Sequence, residues 1–337
     1  MTFSLVRPAV LLSSCALVLA GCGSSGGSTD DVSVVTSFYP VQFVTERVAG
    51  DRAEVTNLTA PGGEPHDLEL SPRQVAAVQD ADLVVYQSQF QTAVDEAVEQ
   101  ADRTKGTTID SADGVTLIEE SEDEAEGEDH AHEEGDEHAH EEGDEHAHEE
   151  GDEHEGHDHG HDHGGVDPHL WLYPTNLVPV TEHVRDALVE IDPDHADEYR
   201  ANAAALVEDL TTLDEDLTTG LADCKVRDIV TSHAAFAYLA QAYDLTQIPI
   251  AGIDPGTEPS AAQLATISDL VRTDGITTVF TETLVSPAVA NTVAREAGVE
   301  TATLDPIEGL TKATSDEDYL SIMRTNLATL QKANDCS

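Results

Sequence analysis

Short apolar runs in the first half of the chain alternate with segments of helical pattern. Between the first two runs, residues near Val41–Ala49 show helical spacing, and Ser71 followed by Pro72 is a favourable helix start, with serine at the cap and proline in the first turn. This order predicts a small, mainly parallel sheet with helices on its faces. The predicted strands are Val32–Ser37, Ala53–Thr59, Leu83–Tyr86 and Thr107–Ile109.

The second half repeats this order of strands and helices. Ser260 and Gln263 predict a capping box at the start of a helix that continues to Thr273, and further helices are predicted over Ala234–Tyr243 and Pro287–Ala297. We therefore expect an α/β protein with two lobes, each built on a small, mainly parallel sheet flanked by helices. The predicted strands are Val226–Thr231, Gln247–Ile250, Thr277–Thr281 and Glu300–Leu304.

A mainly polar stretch, Pro193–Leu221, separates the halves and carries apolar residues at helical spacing. It predicts one long, rigid helix that joins the lobes and limits their hinge opening. The expected division is an N-terminal lobe over 32–192, the linker helix over 193–222 and a C-terminal lobe over 223–337. The apolar positions are Tyr199, Ala203, Leu206, Leu210, Leu213 and Leu217.

The first 21 residues read as a signal peptide, because the apolar run that follows Arg7 is too short to span a bilayer. The run ends in Leu-Ala-Gly-Cys22, which resembles the bacterial lipobox and predicts Cys22 as a lipid-modified N-terminus. An ordinary signal peptide with an incidental cysteine is the alternative. Residues 22–31 are rich in glycine and serine and predict a flexible tether. The expected location is extracytoplasmic, on a lipid anchor at the outer face of the cell membrane.

Two cysteines, Cys224 and Cys336, remain beyond the signal and the lipobox. In an oxidising compartment two such residues usually pair, and two free thiols are the alternative. A zinc site built on them is disfavoured, because neither has a second cysteine or histidine at ligand spacing.

The formal charge of −53 is shared between an insert and the rest of the chain. Residues 119–165 contain 23 acidic residues and no lysine or arginine, and the remainder is also strongly acidic. This balance argues against nucleic acid as a partner, since phosphates require a basic face. It also raises the local concentration of cations.

The insert itself carries an eight-residue repeat that contains paired histidines, and it holds 11 of the 16 histidines of the chain. Almost no apolar side chain is available for burial there, so the sequence predicts disorder. The His-x-His pairs predict several weak metal sites, and a solvated acidic linker is the alternative. The histidines are His130, His132, His138, His140, His146, His148, His154, His157, His159, His161 and His163.

Candidate ligands for a tighter site follow the predicted strands. His66 comes after the second strand, His233 after the fifth and Asp305 after the last, and His169 lies where the chain re-enters the fold after the insert. Ligands of open α/β sheets bind beyond the carboxyl ends of the strands. Three imidazoles and one carboxylate in a cleft between the lobes match tetrahedral zinc coordination.

Four motifs in this order resemble the metal-site motifs of the zinc/manganese solute-binding lipoproteins of bacterial ABC importers. They are Gly-Gly-Glu-Pro-His66-Asp-Leu-Glu, Asp-Pro-His169-Leu-Trp-Leu-Tyr-Pro, Ser-His233-Ala-Ala-Phe and Leu-Asp305-Pro-Ile-Glu-Gly. The resemblance covers nearly all of the mature chain, and a histidine-rich insert before the second motif is similar to the zinc branch of that family.

The resemblance implies two lobes joined by a rigid helix, with one Zn²⁺ at their interface. It implies His66, His169 and His233 as ligands, and a histidine at the third position favours zinc over manganese. Asp305 matches the fourth ligand of some relatives, whereas in others a water or a glutamate of the first loop, here Glu64, takes that place. Glu282 matches a residue that recurs in this family. We interpret it as a residue that supports a ligand or the fold and does not bind the metal itself. A cysteine near the C-terminus also recurs in zinc relatives.

The implied function is high-affinity capture of zinc and its delivery to an ABC permease and its ATPase, by a monomer that is not an enzyme. A manganese or mixed-metal protein and a surface metal-sequestering adhesin are the alternatives. A hydrolytic zinc centre would need a general base, and the sequence has no His-Glu-x-x-His motif. The insert could pass metal inward, store it or act as a sensor.

Overall fold

The structure, a computed structural model, describes residues 32–101, 103, 106–119 and 165–337. The predicted signal peptide, the tether with Cys22 and all eleven insert histidines lie outside these residues. None of the helices in the described ranges combines the length and the apolar character that crossing a bilayer requires.

Two four-stranded parallel sheets form, one from each half of the chain, and their strand orders correspond. The first has the order β2-β1-β3-β4 and the second β6-β5-β7-β8. In the first sheet, Val34 on the central strand β1 is in register with Val55 and Leu83. The strands are β1 Val32–Thr36, β2 Ala53–Asn57, β3 Leu83–Tyr86, β4 Thr107–Asp110, β5 Asp228–Thr231, β6 Thr246–Pro249, β7 Thr278–Thr281 and β8 Glu300–Thr303.

Nine α-helices lie in the described part of the chain: α1 Tyr39–Ala49, α2 Pro72–Asp80, α3 Thr92–Gln100, α4 Leu177–Ile191, α5 Ala196–Leu221, α6 Ala237–Ala242, α7 Ala261–Thr273, α8 Ala288–Ala297 and α9 Tyr319–Ala333. One face of the first sheet packs against α2 and α3 through residues such as Val78 and Val94. The corresponding face of the second sheet packs against α7 and α8 through residues such as Val271 and Val293.

The other faces of both sheets meet in one shared core. The long helix α5 contributes four fully buried leucines to it, Leu206, Leu210, Leu213 and Leu217. Each such side chain stabilises the fold by about 1.5–3 kcal/mol relative to exposure. A wide opening between the halves would expose this core, so the helix holds them together as one compact unit.

The sequence predicts the joining helix over Pro193–Leu221, whereas in the structure α5 begins at Ala196, after a 3₁₀ turn at Pro193–His195. The capping box predicted at Ser260 is only half formed. Its hydroxyl accepts a hydrogen bond from the Gln263 backbone N–H, but the Gln263 side chain donates to the Ile250 carbonyl. The sequence pattern does not predict α3 or α9, and it gives no bounds for α4.

The predicted pairing of Cys224 with Cys336 is confirmed, because the structure joins them in a disulfide. Backbone hydrogen bonds beside the bridge, from the N–H groups of Lys225 and Val226 to the Asn334 carbonyl, connect the same two segments. The bridge therefore links the segment before β5 to the end of the chain.

Candidate metal centre

Four side chains from distant parts of the sequence converge beyond the carboxyl ends of the strands. His66 lies on the loop after β2, His233 lies two residues past the end of β5, and Glu308 follows β8. His169 comes from the segment that re-enters the fold after residue 165. The three histidines expected from the sequence are thus brought together, and Glu308 joins them.

Four of the six distances between the ligand atoms of this cluster match those of a tetrahedral zinc shell. Oε1 of Glu308 lies 3.3 Å from Nε2 of His66 and 3.2 Å from Nε2 of both His169 and His233. The Nε2 atoms of His169 and His233 are 3.3 Å apart. Around a tetrahedral zinc ion with bonds of about 2.0–2.1 Å, neighbouring ligand atoms are about 3.3 Å apart. One ion of that size therefore fits between these atoms with little movement.

The cluster is almost completely shielded from solvent. The exposed fraction is 3% for His66, 0% for His169 and His233, and 1% for Glu308. A charged group in such a place needs compensating charge, since burial of an isolated ion is very costly. The three imidazoles and a bound cation are the groups that can supply it to Glu308.

Asp167 orients His169. Its Oδ1 lies 2.8 Å from Nδ1 of the imidazole and also accepts a hydrogen bond from the His169 backbone N–H at 2.8 Å. A proton on Nδ1 is thereby directed to the carboxylate, and Nε2 is left to face the cluster. Carboxylates that hold a histidine in this way raise its basicity as a metal ligand.

His66 is held by its own loop and by an aromatic ring. The backbone N–H groups of His66 and Asp67 each donate to the carboxylate of Glu64 at 3.2 Å. The Phe90 ring meets the His66 imidazole edge-on, with centroids 4.9 Å apart. Glu64, the alternative fourth ligand from the sequence, caps this loop and is not a member of the cluster. Burial raises the pKa of Glu64, although the nearby His66 lowers it.

Asp305, expected as the fourth ligand, also lies outside the cluster, and Glu308 occupies that position. The Asp305 carboxylate is engaged elsewhere: Oδ1 accepts from the Ile307 backbone N–H at 2.8 Å, and Oδ2 accepts from the Thr283 hydroxyl at 3.1 Å. Asp305 therefore shapes the turn that carries Glu308. Burial raises the pKa of Asp305, and hydrogen bonds from Ile307 and Thr283 oppose this.

The turn before Glu308 has an unusual backbone conformation, with φ of +58° at Ile307. A β-branched residue rarely adopts this region, and such strain persists only where the surroundings enforce it. The Trp171 indole N–H donates to the Pro306 carbonyl at 2.7 Å, and the Tyr319 hydroxyl donates to the Trp171 carbonyl at 2.6 Å. These buried contacts fix the turn that aims Glu308 at the histidines.

The cluster shifts the proton affinities of its members. Burial by itself would raise the pKa of Glu308, but hydrogen bonds from His169, His233 and His66 hold it well below its usual range. Burial would lower the pKa of His169, but Asp167 and Glu308 raise it. A proton on His169 is therefore stabilised by Asp167 and Glu308, and a cation that binds His169 must displace any proton from the ligand nitrogen.

Glu308 is the site residue that the sequence analysis missed. It stands in the quoted motif Leu-Asp305-Pro-Ile-Glu-Gly, two residues past Pro306 and directly before Gly309. The rule that ligands bind beyond the carboxyl ends of the strands favours Asp305, because it is the first carboxylate after β8. Only the turn at Ile307 brings the next carboxylate round to face the cluster.

Comparison with known proteins agrees with this geometry. A family model described as ZnuA, zinc-uptake complex component A periplasmic, matches residues 34–333. The chain is 38% identical over 329 residues to the zinc-binding lipoprotein AdcA of Streptococcus pneumoniae strain ATCC BAA-255 / R6, which covers 97% of the chain and 60% of that protein. It is 34% identical over 330 residues to the high-affinity zinc uptake system protein ZnuA of Bacillus subtilis strain 168, with 95% of each chain covered.

The fold is also similar to a solved structure. The crystal structure of the Zn(II)-bound ZnuA-like domain of Streptococcus pneumoniae AdcA matches with a TM-score of 0.70 and 35% sequence identity, over 90% of this chain and 99% of that domain. The chain spans about 60% of the length of the pneumococcal protein AdcA. With the family match extending over residues 34–333, the chain belongs to the family of zinc-uptake complex component A, periplasmic.

Proposed function

We propose that the protein captures one zinc ion with high affinity outside the cytoplasm and delivers it to an ABC import permease. The observation that carries this proposal is the buried cluster of His66, His169, His233 and Glu308, in which Glu308 Oε1 lies at the spacing of a tetrahedral zinc shell from all three imidazole nitrogens. The Bacillus relative, named a high-affinity zinc uptake system protein, and the Zn(II)-bound pneumococcal domain support it.

The donor set favours zinc over manganese. Three imidazole nitrogens and one carboxylate oxygen suit a borderline ion of tetrahedral preference, whereas manganese prefers more oxygen ligands and a larger shell. Enclosure of the cluster leaves little room for the additional waters that an octahedral ion would retain. We therefore expect zinc to displace manganese from the site.

The geometry favours transport over catalysis. Catalytic zinc sites use three protein ligands and keep a fourth position open for water or substrate. Here a fourth protein ligand, Glu308, completes the shell and the cluster is closed to solvent. A hydrolytic role would require an accessible zinc-bound water, so we propose binding and release without chemical conversion.

The proposed setting is the outer face of the cell membrane, with Cys22 as the lipid anchor and a permease with its ATPase as partners. The name of the pneumococcal relative, a zinc-binding lipoprotein, supports the anchor. Cys22 and the insert histidines lie outside the described residues, so the anchor and the weak insert sites stay predictions. We propose a monomer, since the cluster is complete within one chain.

The test is metal binding by the lipid-free chain with residues 120–164 replaced by a short linker. Glu119 and Val166 form a β-bridge, so the two ends of the deletion lie close together and a short linker can connect Glu119 to Gly165. We expect one tightly bound zinc per chain, resistant to excess manganese, and additional weaker zinc only when the insert is present. The site is disproved if the His66→Ala and His233→Ala variants bind zinc with undiminished affinity by calorimetry.

The delivery step needs a separate test in cells. A strain that lacks its own zinc-binding importer component should grow on low zinc with the intact protein and its cognate permease. The Cys22→Ser variant should lose retention at the membrane. Growth that is unaffected by His233→Ala would contradict a role of this site in uptake.

A further inference from the structure

Three glutamines, of which Gln87 and Gln91 are buried and Gln247 is half-buried, hold the backbone of the three histidine segments. In each case the carboxamide Nε2 donates to a backbone carbonyl at, or directly before, the histidine. The bonds run from Gln91 to the Pro65 carbonyl at 3.2 Å, from Gln87 to the Pro168 carbonyl, and from Gln247 to the His233 carbonyl at 3.0 Å.

Two of these glutamines belong to one short turn, Gln87–Gln91, which connects β3 to α3. The turn is itself held at two points: the Ser88 N–H donates to the Asp110 carboxylate at 3.0 Å, and the Gln89 N–H donates to the Asp95 carboxylate at 3.0 Å. Gln89 has φ of +60°, which reverses the chain so that Gln87 and Gln91 both reach inward. One rigid segment therefore contacts the loops of two different histidines.

The two histidines that this turn contacts stand in the same local arrangement. His66 and His169 each follow a proline, and the peptide bond between proline and histidine is held on both edges. Its N–H is bound by an acidic side chain two residues before the histidine, Glu64 or Asp167. Its C=O is bound by Gln91 or Gln87. A peptide plane fixed on both edges cannot rotate, so the direction in which the imidazole leaves the backbone is set.

The turn also makes further contacts that fix the distance between the two loops. Gln91 Nε2 donates to the Thr59 hydroxyl at 3.0 Å, so one amide binds both ends of the loop that leads to His66. The Thr59 hydroxyl donates in turn to the Ser37 carbonyl at 2.7 Å. Between the two glutamines, the Phe90 ring packs 4.9 Å from the His66 ring and 6.4 Å from the His169 ring.

We propose that the turn Gln87–Gln91 is a positioning element that sets the separation and orientation of His66 and His169, and thereby the geometry and affinity of the metal site. This rests on the proposed function, in that the cluster must bind zinc. Gln91 acts on His66 and Gln87 acts on His169; neither touches the metal. Loss of residues that orient ligands typically lowers metal affinity by about 10–100-fold.

The experiment measures Zn²⁺ affinity by chelator competition, and the visible spectrum of bound Co²⁺, in Gln91→Met and Gln87→Met. Methionine keeps the length and buried volume but removes the donor. Both variants should bind zinc about 10–100-fold more weakly and show an altered Co²⁺ spectrum, because that spectrum reports ligand geometry and not fold stability. Gln331→Met is the matched control: its amide donates to the Gly220 carbonyl and joins α9 to α5, so affinity and spectrum should be unchanged.

A second comparison separates positioning from a general loss of structure. In a His66→Ala background, Gln91→Met should cause no further loss of residual Co²⁺ binding, because the ligand that it positions is absent, whereas Gln87→Met should still weaken it. Equal further losses from both would overturn the assignment. If Gln91→Met does not fold, Gln91→Asn keeps the amide but shortens its reach and should show the same loss.

The outcomes distinguish this inference from the proposed function. If the unaltered protein binds no zinc tightly, the proposed function fails. If the unaltered protein binds zinc tightly, and both methionine variants keep its affinity and its Co²⁺ spectrum, the positioning role alone is wrong.

Discussion

Glu282 binds His233 through both of its carboxylate oxygens. Oε2 lies 2.6 Å from Nδ1 of the imidazole, and Oε1 accepts a hydrogen bond from the His233 backbone N–H at 3.1 Å. Asp167 makes the same pair of contacts to His169 with a single oxygen. Two ligands from different halves of the chain are therefore oriented by the same chemistry, and in each the Nε2 atom is presented to the cluster.

We expect Glu282→Gln to lower zinc affinity by about 10–100-fold, because an amide neither orients His233 through two acceptors nor supplies negative charge to it. Zinc affinity measured by chelator competition at neutral pH checks this. Glu300→Gln, at an exposed position on β8, is the control and should leave affinity unchanged. An equal affinity in both variants would show that Glu282 does not support the site.

The fourth ligand can be assigned by comparing two carboxylates. Glu308→Ala should abolish tight zinc binding, because it removes one of four ligands and leaves three imidazoles facing one another. Asp305→Asn should have a much smaller effect, since the amide oxygen can still accept the hydrogen bond from Ile307. Calorimetric titration of both variants decides the matter. A greater loss of affinity in Asp305→Asn would restore Asp305 as the ligand.

The contrast between these two residues shows what the sequence could predict. The sequence predicts His66 and His233 because parallel strands present the loops that follow them at one edge of the sheet, and that rule depends only on strand order. Glu308 was missed because its position depends on the positive φ of Ile307, a conformation that β-branched residues rarely adopt. No residue preference signals such a turn, since buried contacts from Trp171 and Tyr319 enforce it.

The start of α9 is missed in the sequence for a different reason. The helix α9 begins with a complete capping box, in which Asp318 and Ser321 exchange hydrogen bonds, but the pair Asp and Ser is a weaker signal than Ser and Gln. The capping box between Ser71 and Gln74 is formed as well, and there the start of the helix was recognised. A capping box therefore predicts a helix start when its residues are the common types, as at Ser71 and Gln74, and is easily missed when they are not, as at Asp318 and Ser321.

The pH dependence of the metal-free fold follows from His233. Burial alone would lower its pKa, but the charge of Glu282 and hydrogen bonds with Glu282 and Glu308 raise the pKa to about 10. Because the folded value exceeds the unfolded value of about 6.5, protonation of His233 stabilises the fold. This contribution is fully present below about pH 6.5 and is lost as the pH rises through about 10.

Zinc affinity should change in the opposite direction, because zinc displaces this proton and binding is favoured as the pH rises. Thermal unfolding of chelator-treated protein should show a loss of stability between about pH 6.5 and 10 that is greater than in His233→Gln. Zinc titrations should show weaker binding as the pH falls from about 8 to 5. Zinc affinity that is independent of pH would contradict proton displacement.

A backbone hydrogen bond connects two of the ligand loops. The Gly62 N–H, on the loop that leads to His66, donates to the Leu310 carbonyl, just past Glu308, at 2.8 Å. Gly62 has φ of +80°, and an added Cβ would meet nothing within 4 Å. Gly62→Ala should therefore introduce backbone strain of about 1–2 kcal/mol without a clash.

We expect this strain to weaken the connection between the loops, so that zinc leaves about tenfold faster in Gly62→Ala, as about 1.4 kcal/mol would produce. The rate is measured by mixing zinc-loaded protein with a chromogenic chelator. Gly275→Ala is the matched control, because its φ is +72° and an added Cβ also meets nothing within 4 Å. It should lose similar stability without faster release. Equal release rates would mean that the connection does not retain the metal.

The disulfide should affect stability but not the metal site. Cys224 precedes the amino end of β5, whereas His233 follows the carboxyl end of that strand. Replacing both cysteines by serine should lower the free energy of unfolding by about 4–5 kcal/mol in the entropic account, since the closed loop spans more than 100 residues. Hydrogen bonds from Lys225 and Val226 to the Asn334 carbonyl should keep the folded geometry, so zinc affinity should remain that of the parent.

Urea unfolding with and without reductant measures the loss of stability, and reductant should not alter the unfolding of the serine variant. A loss of zinc affinity in that variant under folding conditions would show that the bridge supports the site through β5.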